Sequence, residues 1–488
     1  MNDMKLTSYN ALYIKTETGF IGKILEWQEI IVQSENLDDC RNQLSQMLYD
    51  NILAFQQQNK PIPPSYGNAI VLDQISIKSE TEDEPVNGEE PTDILNTLPE
   101  TTVNTPPQPP CLKVNRFAVN LYKALHTENN LLFSPFSIAT MLTVLALGAR
   151  GTTQMQLIQA LQAETVDEIT NEMLQVMEAL ERLNHNKFIK IQTANALWVK
   201  ASLLLAQFEA VTNQYDAVIE FIDMSDEKIA YVINAWCSEK TQGKIPQIVT
   251  PDLLTEQTRL IITNAIYFKA DWYSYFENTR PATFYVSEHE EVEVLMMEKL
   301  GTRVFHLVRN GLQILCLDYR FPKKHDVPPM SMMVLLPNQV DGIIELEEKL
   351  TPELLQQWLG LLNESQAKVM DIYLPSFALN AEFNLFEALT TLGIKDAFQQ
   401  DIADFSGIDG TQDLVIQTFL HKTFTAVNEM GMDASVATAV STAPIQIDVQ
   451  ENEVFRADHP FIFVIVENFS GSILLMGRVL NPALSVST

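Results

Sequence analysis

Glu429-Met430-Gly431-Met432-Asp433-Ala434-Ser435-Val436-Ala437-Thr438-Ala439-Val440 is the stretch on which the reading of this chain turns. It continues through Ser441-Thr442-Ala443-Pro444-Ile445-Gln446 into a polar, acidic tail. The first half is small and β-tolerant, with a glycine at its head that supplies a bendable backbone position. By local composition alone it reads as an exposed loop rich in Ala, Ser and Thr. It also has the makings of a strand, because alternate side chains of a strand share a face. Met432, Ala434, Val436 and Thr438 then face one way, and all four are uncharged and of sizes a packed sheet accommodates.

The flanks favour the strand. Upstream stand His421-Lys422-Thr423-Phe424 and Val427-Asn428-Glu429; downstream stand Phe455-Arg456-Ala457-Asp458-His459-Pro460-Phe461, Gly471-Ser472-Ile473-Leu474-Leu475-Met476-Gly477-Arg478-Val479 and Asn481-Pro482. Long and in order, this set closely resembles the reactive-centre loop region of the serpins. Further landmarks extend the resemblance over about residues 112–483. Asn130-Leu131-Leu132-Phe133-Ser134-Pro135-Phe136-Ser137-Ile138 is one, and Thr263-Asn264-Ala265-Ile266-Tyr267-Phe268-Lys269-Ala270-Asp271-Trp272 is similar to the family's central strand, with Ala270 where glycine is usual. Leu374-Pro375-Ser376-Phe377, Leu392-Gly393-Ile394-Lys395-Asp396-Ala397-Phe398 and Ala403-Asp404-Phe405-Ser406-Gly407-Ile408 complete it. The fold so implied is α+β, with three β-sheets, about nine helices and an exposed reactive-centre loop.

The residues between these landmarks agree with that class. Val114, Phe117, Leu121 and Leu125 form a helix face, and a second helix opens at Ser134 and ends at Gly148-Ala149-Arg150-Gly151-Thr152-Thr153, where glycine and hydroxyl residues are expected to stop and cap. Ile189 to Val199 alternates as a strand. Strand patterns prevail from Arg259 onward, with helical patterns near Glu345 to Leu362 and Leu385 to Leu392.

The other end of the chain is a separate unit. Residues 4 to 14, Phe20 to Ile24 and Glu29 to Gln33 read as a three-stranded meander, Leu37 to about Gln57 as a helix, and Ala69 to Ile77 as one more strand. With Lys60-Pro61-Ile62-Pro63, this β-β-β-α-β order resembles the small HicB-like antitoxin domain. From Ser79 to Pro110 there are seven prolines, eight acidic residues and no Lys or Arg. Such a segment buries too little apolar area to offset its ordering entropy, and its charges repel. The expected division is a HicB-like domain at 1–78, an acidic linker at 79–110 and a serpin domain at 111–488.

Composition excludes several functions. Across 488 residues, 32 Lys and Arg face 63 Asp and Glu, a formal net charge of −31, which argues against nucleic acid or an anionic membrane as partner. Cys40, Cys111, Cys237 and Cys316 lack metal-ligand or disulfide-framework spacing and read as free thiols of a reducing compartment. Neither a signal-type apolar core at Met1 to Leu12 nor a membrane-length apolar run is present, so the expected location is the cytoplasm. No Gly-x-Ser-x-Gly, His-Glu-x-x-His or phosphate-cradling glycine loop occurs; an enzyme, a metal site and a cofactor are not expected.

What the resemblance implies is a single-use inhibitor of serine proteases. The loop offers a peptide bond, forms the acyl-enzyme and inserts its hinge, Glu429, Gly431, Met432, Asp433, Ala434, Ser435, Val436, Ala437 and Thr438, as an extra strand before deacylation. Counting from Glu429 puts the scissile bond at Ile445-Gln446, beside Ala443 and Pro444. Ser134, Ser137, Asn264 and His421 are implied to form a polar shutter cluster beneath the sheet; by residue type alone, Ser134 reads as a helix cap and His421 as a satisfied core histidine. Trp272 is implied to mark the breach where the loop enters, and Glu429 to stand beside it, although Glu298 follows Val294-Leu295-Met296-Met297 where the family often has a base. With no basic residue from Met432 to Val454, an elastase- or subtilisin-type target is favoured over a trypsin-like one. Two other readings stand beside this one. One is a serpin fold that binds or stores without inhibiting; the other is a toxin-binding or self-associating function centred on the amino-terminal domain.

Overall fold

In a computed structural model the chain forms two compact units, Met1–Thr102 and Val103–Thr488. The structure describes residues 11–16, 19–24, 31–34, 43, 47, 112–125, 127–184, 186–200, 204–223, 228–321, 329–364, 366–432 and 452–484. In the first unit, β1 (Ala11–Thr16), β2 (Gly19–Ile24) and β3 (Ile31–Ser34) pair antiparallel in that order. The expected meander is therefore present. Gln43 and Met47 are helical; the rest of the expected helix, the strand from Ala69 and the acidic segment lie outside the described residues.

The second unit begins with α1 (Lys113–Ala124), which buries Val114, Phe117 and Leu121, the residues whose spacing marked a helix face. The short β4 (Leu131–Phe133) leads into α2 (Pro135–Gly148). Pro135 suits the first helical position, since its missing N–H is one the helix leaves unused. Almost every residue of α2 is buried, as befits a helix apolar all round. The expected hydroxyl cap for the next helix is not realised. That helix, α3 (Gly151–Ala160), has Arg150 at its N-cap and no side-chain cap; Thr153 lies inside the helix, where its Oγ1 accepts from the Asp404 N–H at 3.0 Å.

After α4 (Val166–Asn184) the chain enters β5 (Ile189–Val199), crosses α5 (Ala206–Thr212), returns as β6 (Ala217–Phe221), and passes through α6 (Ile229–Lys240) to the long β7 (Leu260–Asp271). Four strands follow: β8 (Asn278–Ser287), β9 (Glu290–Arg309), β10 (Leu312–Asp318) and β11 (Met330–Pro337). The Glu345 to Leu362 pattern resolves into two helices, α7 (Ile343–Lys349) and α8 (Pro352–Glu364). Pro352 lacks the N–H a continuous helix needs, and so begins a new one. Then come β12 (Lys368–Pro375), β13 (Phe377–Asn384), α9 (Phe386–Thr391), α10 (Ser406–Asp409), β14 (Ile416–Asn428), β15 (Gly431–Met432), β16 (Glu453–Arg456), β17 (Phe461–Glu467) and β18 (Ser472–Val479).

These strands make two hydrogen-bonded sheets in the second unit, not three separate ones. The 20-residue β9 pairs with β8 and β12 along one part and with β10 along another, so two smaller sheets join into a single nine-stranded ladder. The other sheet runs β13-β14-β15-β7-β5-β6. Strand alternation gives it two buried faces. Ile262, Ile266 and Phe268 of β7 join the main core with α1 and α2, while Ile261 and Ala265 join Trp198, Ile233 and Cys237 in a smaller core under α6.

Candidate functional site

Directly under the seam between β7 and β14 lies a buried polar cluster. Register places Asn195 of β5 opposite Asn264 of β7, and Asn264 opposite His421 of β14, so three polar residues stand in one row across three strands. The first turn of α2 rises beneath them with Ser134 and Ser137. All five residues are at most 3% exposed. The Ser134 N–H donates to His421 Nε2 at 3.0 Å, so that nitrogen is an acceptor and the proton resides on Nδ1, 2.5 Å from Asn264 Oδ1. Asn264 Nδ2 donates to Ser137 Oγ at 2.7 Å and to Asn195 Oδ1 at 2.6 Å, and Ser137 Oγ donates to Asn195 Oδ1 at 3.2 Å. Burial holds His421 neutral, with its pKa lowered to about 3.

Both residue-level readings of Ser134 and His421 are met at once. Ser134 Oγ caps α2 by accepting from the Ser137 N–H at 3.1 Å, and also donates to the Leu474 carbonyl at 2.7 Å. His421 is a satisfied core histidine and a member of the cluster. Asn195 was not anticipated. Its only sequence signal is a polar residue between Ala194 and Ala196, just ahead of the apolar run Leu197-Trp198-Val199.

At the end of the same seam β7 and β14 diverge, and the chain after β14 folds back between them. Asn428 Oδ1 accepts from the N–H groups of Met430 and Gly431 at 2.9 and 3.2 Å, closing a tight turn. Gly431 and Met432 then pair antiparallel with Asn428 and Val427 on one side and with Asp271 and Ala270 on the other. The hinge was expected to enter the sheet after cleavage; here two of its residues, Gly431 and Met432, form a strand in the uncut chain. Met432 is fully buried, its sulfur 3.6 Å from the Tyr319 hydroxyl, which fits a flexible, polarizable side chain. Gly431 adopts φ +153°, and a Cβ there would lie 2.1 Å from the Ala270 carbonyl oxygen. Only glycine fits.

Trp272 packs beside this two-residue strand. It is 1% exposed, stacks on Tyr319 at 4.8 Å between ring centroids, and donates from Nε1 to the Asn428 carbonyl at 2.9 Å. Backbone bonds run from Trp272 N to the Met430 carbonyl and from Phe276 N to the Glu429 carbonyl. The partner of the Glu429 carboxylate is a hydroxyl, with Thr279 donating to it at 2.5 Å. The nearby charges are engaged elsewhere, since Arg280 pairs with Glu298 at 3.4 Å and Lys299 donates to the Ser274 carbonyl. Asp433, Ala434, Ser435, Val436, Ala437 and Thr438, and the Ala443, Pro444, Ile445 and Gln446 segment, lie outside the described residues.

Residues 112–482 match the model of the Serpin (serine protease inhibitor) family. This chain belongs to the serpins. It is 33% identical over 379 residues to the leukocyte elastase inhibitor of Equus caballus, an alignment covering 75% of this chain and 97% of that one. To antithrombin-III of Homo sapiens it is 32% identical over 386 residues, covering 75% and 81%. Among solved structures, a highly specific serpin of the insect Tenebrio molitor superposes with a TM-score of 0.65 at 31% identity, covering 76% of this chain and 97% of that one. Uncleaved ovalbumin gives a TM-score of 0.67 at 27% identity, covering 76% and 99%. As a serpin the chain falls among protease inhibitors and not among enzymes.

Proposed function

We propose that this serpin inhibits a serine protease as a suicide substrate, extending β15 into a full strand once its loop is cut. The observation that carries this reading is the slot between β7 and β14, already occupied by Gly431 and Met432 with ladder pairing on both sides. Each further residue that enters adds hydrogen bonds, and each buried aliphatic side chain contributes up to about 1.5–3 kcal/mol. Ala434, Val436 and Thr438 continue the inward set begun by Met432, and none carries a charge. The uncut chain is then metastable, held by the barrier to parting β7 from β14. Ser134, Ser137, Asn195, Asn264 and His421 are assigned to the shutter that must rearrange, Trp272 and Glu429 to the breach.

The scissile bond is assigned to Ile445-Gln446, and the absence of a basic residue from Met432 to Val454 favours an elastase- or subtilisin-type target. The leukocyte elastase inhibitors among the relatives support that preference. Incubation with a panel of serine proteases should give a complex that survives SDS, with mass spectrometry of the released peptide locating the cut. Efficient trapping of trypsin at this loop, or cleavage of the loop by every protease without any covalent complex, contradicts the reading.

The limits 1–78, 79–110 and 111–488 are retained for the HicB-like domain, linker and serpin domain. The β1-β2-β3 meander supports the first of these, and self-association is assigned to that domain. A cytoplasmic location is favoured by cysteine usage. Cys237 and Cys316 are unpaired, and burial pushes the Cys237 thiol up to about 12, which makes it inert.

A further inference from the structure

The turn between β9 and β10, the end of β11 and the helices α7 and α8 line a cavity of about 560 Å³, within the range of small-molecule sites. Leu312, Pro337, Leu346, Leu354 and Trp358 supply its apolar lining, and no residue of α1, β17 or β18 takes part. The walls are braced before any guest arrives. Asn310 and Gly311 take positive φ of 49° and 79°, as a two-residue hairpin turn requires, and the Asn338 N–H donates to the Gly311 carbonyl at 2.7 Å, tying one wall to the other. Trp358 is 6% exposed, and its indole N–H donates to no described residue. A buried indole N–H usually finds a partner, so one left unmet beside an open cavity points to an acceptor from outside. The side chains of Arg309, Asn310, Asn338 and Gln339 also line the cavity, and they make no hydrogen bond or ion pair with any described residue. Lys349 bonds Glu345 one turn away on α7, but both side chains are mostly exposed, so water and salt screen that pair.

We propose that this cavity binds a small organic anion, a carboxylate on an apolar body. Arg309 takes the charge, with the Trp358 N–H and the amides of Asn338 and Gln339 as further donors, and Leu312, Pro337, Leu346 and Leu354 take the body. The charge balance of the lining runs against that of the chain. Arg309 and Lys349 face the single carboxylate of Glu345 there, in a chain whose net charge is −31. Repulsion from the distant carboxylates is screened beyond about 8 Å in physiological salt, which leaves the lining cations to choose the guest. A guanidinium also presents a planar fork matched to a carboxylate. The site shares no residue with the slot, the shutter or the breach, so it stands or falls apart from the insertion mechanism. An occupant that binds the folded chain and not the unfolded one also stabilises it by mass action.

Calorimetric titration of the full chain with 4-phenylbutyrate, against 4-phenylbutylammonium as the cationic counterpart, tests the site. Saturable one-to-one binding of the anion is expected, at least about tenfold tighter than the cation, together with a melting temperature that climbs with anion concentration. Arg309→Gln, at the exposed end of β9, is expected to fold and to weaken binding by about fivefold or more. Trp358→Phe keeps an aromatic ring but removes the donor, and should weaken it by about threefold or more. Glu345→Gln frees Lys349 and should tighten it by about threefold. In spectra of the five tryptophan indole groups, the signal missing from Trp358→Phe should be the one that moves on titration. No saturable binding up to about 10 mM, a cation bound as tightly as the anion, or unchanged affinity in Arg309→Gln overturns the site. Movement of a different indole signal alone overturns the role of Trp358. Should Trp358→Phe fail to fold, Arg309→Gln and Glu345→Gln decide.

Discussion

Gly431 occupies a place where no methyl group fits, because a Cβ would sit 2.1 Å from one backbone oxygen and 2.7 Å from the Asp271 Cα. Neither atom belongs to a side chain that could swing aside. Gly431→Ala should therefore expel the two-residue strand or distort β7, at a cost of about 1–3 kcal/mol. Thermal unfolding and amide exchange at Met432 check this: exchange should speed up by about tenfold or more, and unchanged exchange would mean the slot tolerates a side chain. His421 supplies a pH dependence of definite sign. Its Nε2 accepts from the Ser134 N–H, so protonation there would set donor against donor. With a pKa lowered to about 3 in the fold and about 6.5 when unfolded, the residue contributes stability that is fully present above pH 6.5 and is lost as pH falls towards 3. Chemical denaturation between pH 4 and 6 should show wild type losing up to about 1.4 kcal/mol per pH unit from this group. His421→Gln should be less stable throughout but lack that component of the slope.

At the scale of the element, β15 is a two-residue strand, and under the proposed mechanism side-chain parity along it decides what lengthening costs. Met432 faces the core, so in a continuous strand Ala434 faces inward and Ser435 outward. The proposed mechanism keeps residue 434 out of the sheet until cleavage, so Ala434→Arg should leave the uncut protein folded, as surface changes are usually within about 0.5 kcal/mol. Once the loop is cut, the same guanidinium must enter the core unpaired at a cost of about 3–5 kcal/mol. Insertion then falls behind deacylation and the inhibitor becomes a substrate. Ser435→Arg, one position along, should still inhibit. The moles of inhibitor consumed per mole of protease trapped separate the two, and identical behaviour would show that the hinge does not insert in this register.

At the scale of the molecule, the two compact units raise the question of whether inhibition needs both. The residues assigned in the proposal to the slot, the shutter and the breach, and the Leu474 carbonyl to which Ser134 Oγ donates, all lie in the second unit. A chain truncated to begin at Cys111 should therefore trap protease with the stoichiometry and rate of the full chain. A large loss of rate would assign part of target recognition to the amino-terminal unit, and a change in oligomeric state alone would assign that unit to self-association.

Much of this protein was determined by its sequence alone, wherever the signal is local. The glycine at the head of the hinge, the uncharged parity set after it, the alternation of β5 and the apolar face of α1 are each written within a dozen residues. The ordered landmarks from Asn130 to Pro482 carried the family. Tertiary structure alone decided the partners. Ser134 meets His421 across 287 residues, His421 meets Asn264 across 157, and Asn264 meets Asn195 across 69. Such contacts follow from strand order and register, and a register slip of one residue in β5, β7 or β14 would turn its Asn195, Asn264 or His421 to the opposite face. For the same reason neither Thr279 as the partner of Glu429 nor the burial of Met432 in the uncut chain was legible beforehand. Both depend on groups far apart in the chain, Thr279 reaching Glu429 across 150 residues and Tyr319 reaching Met432 across 113.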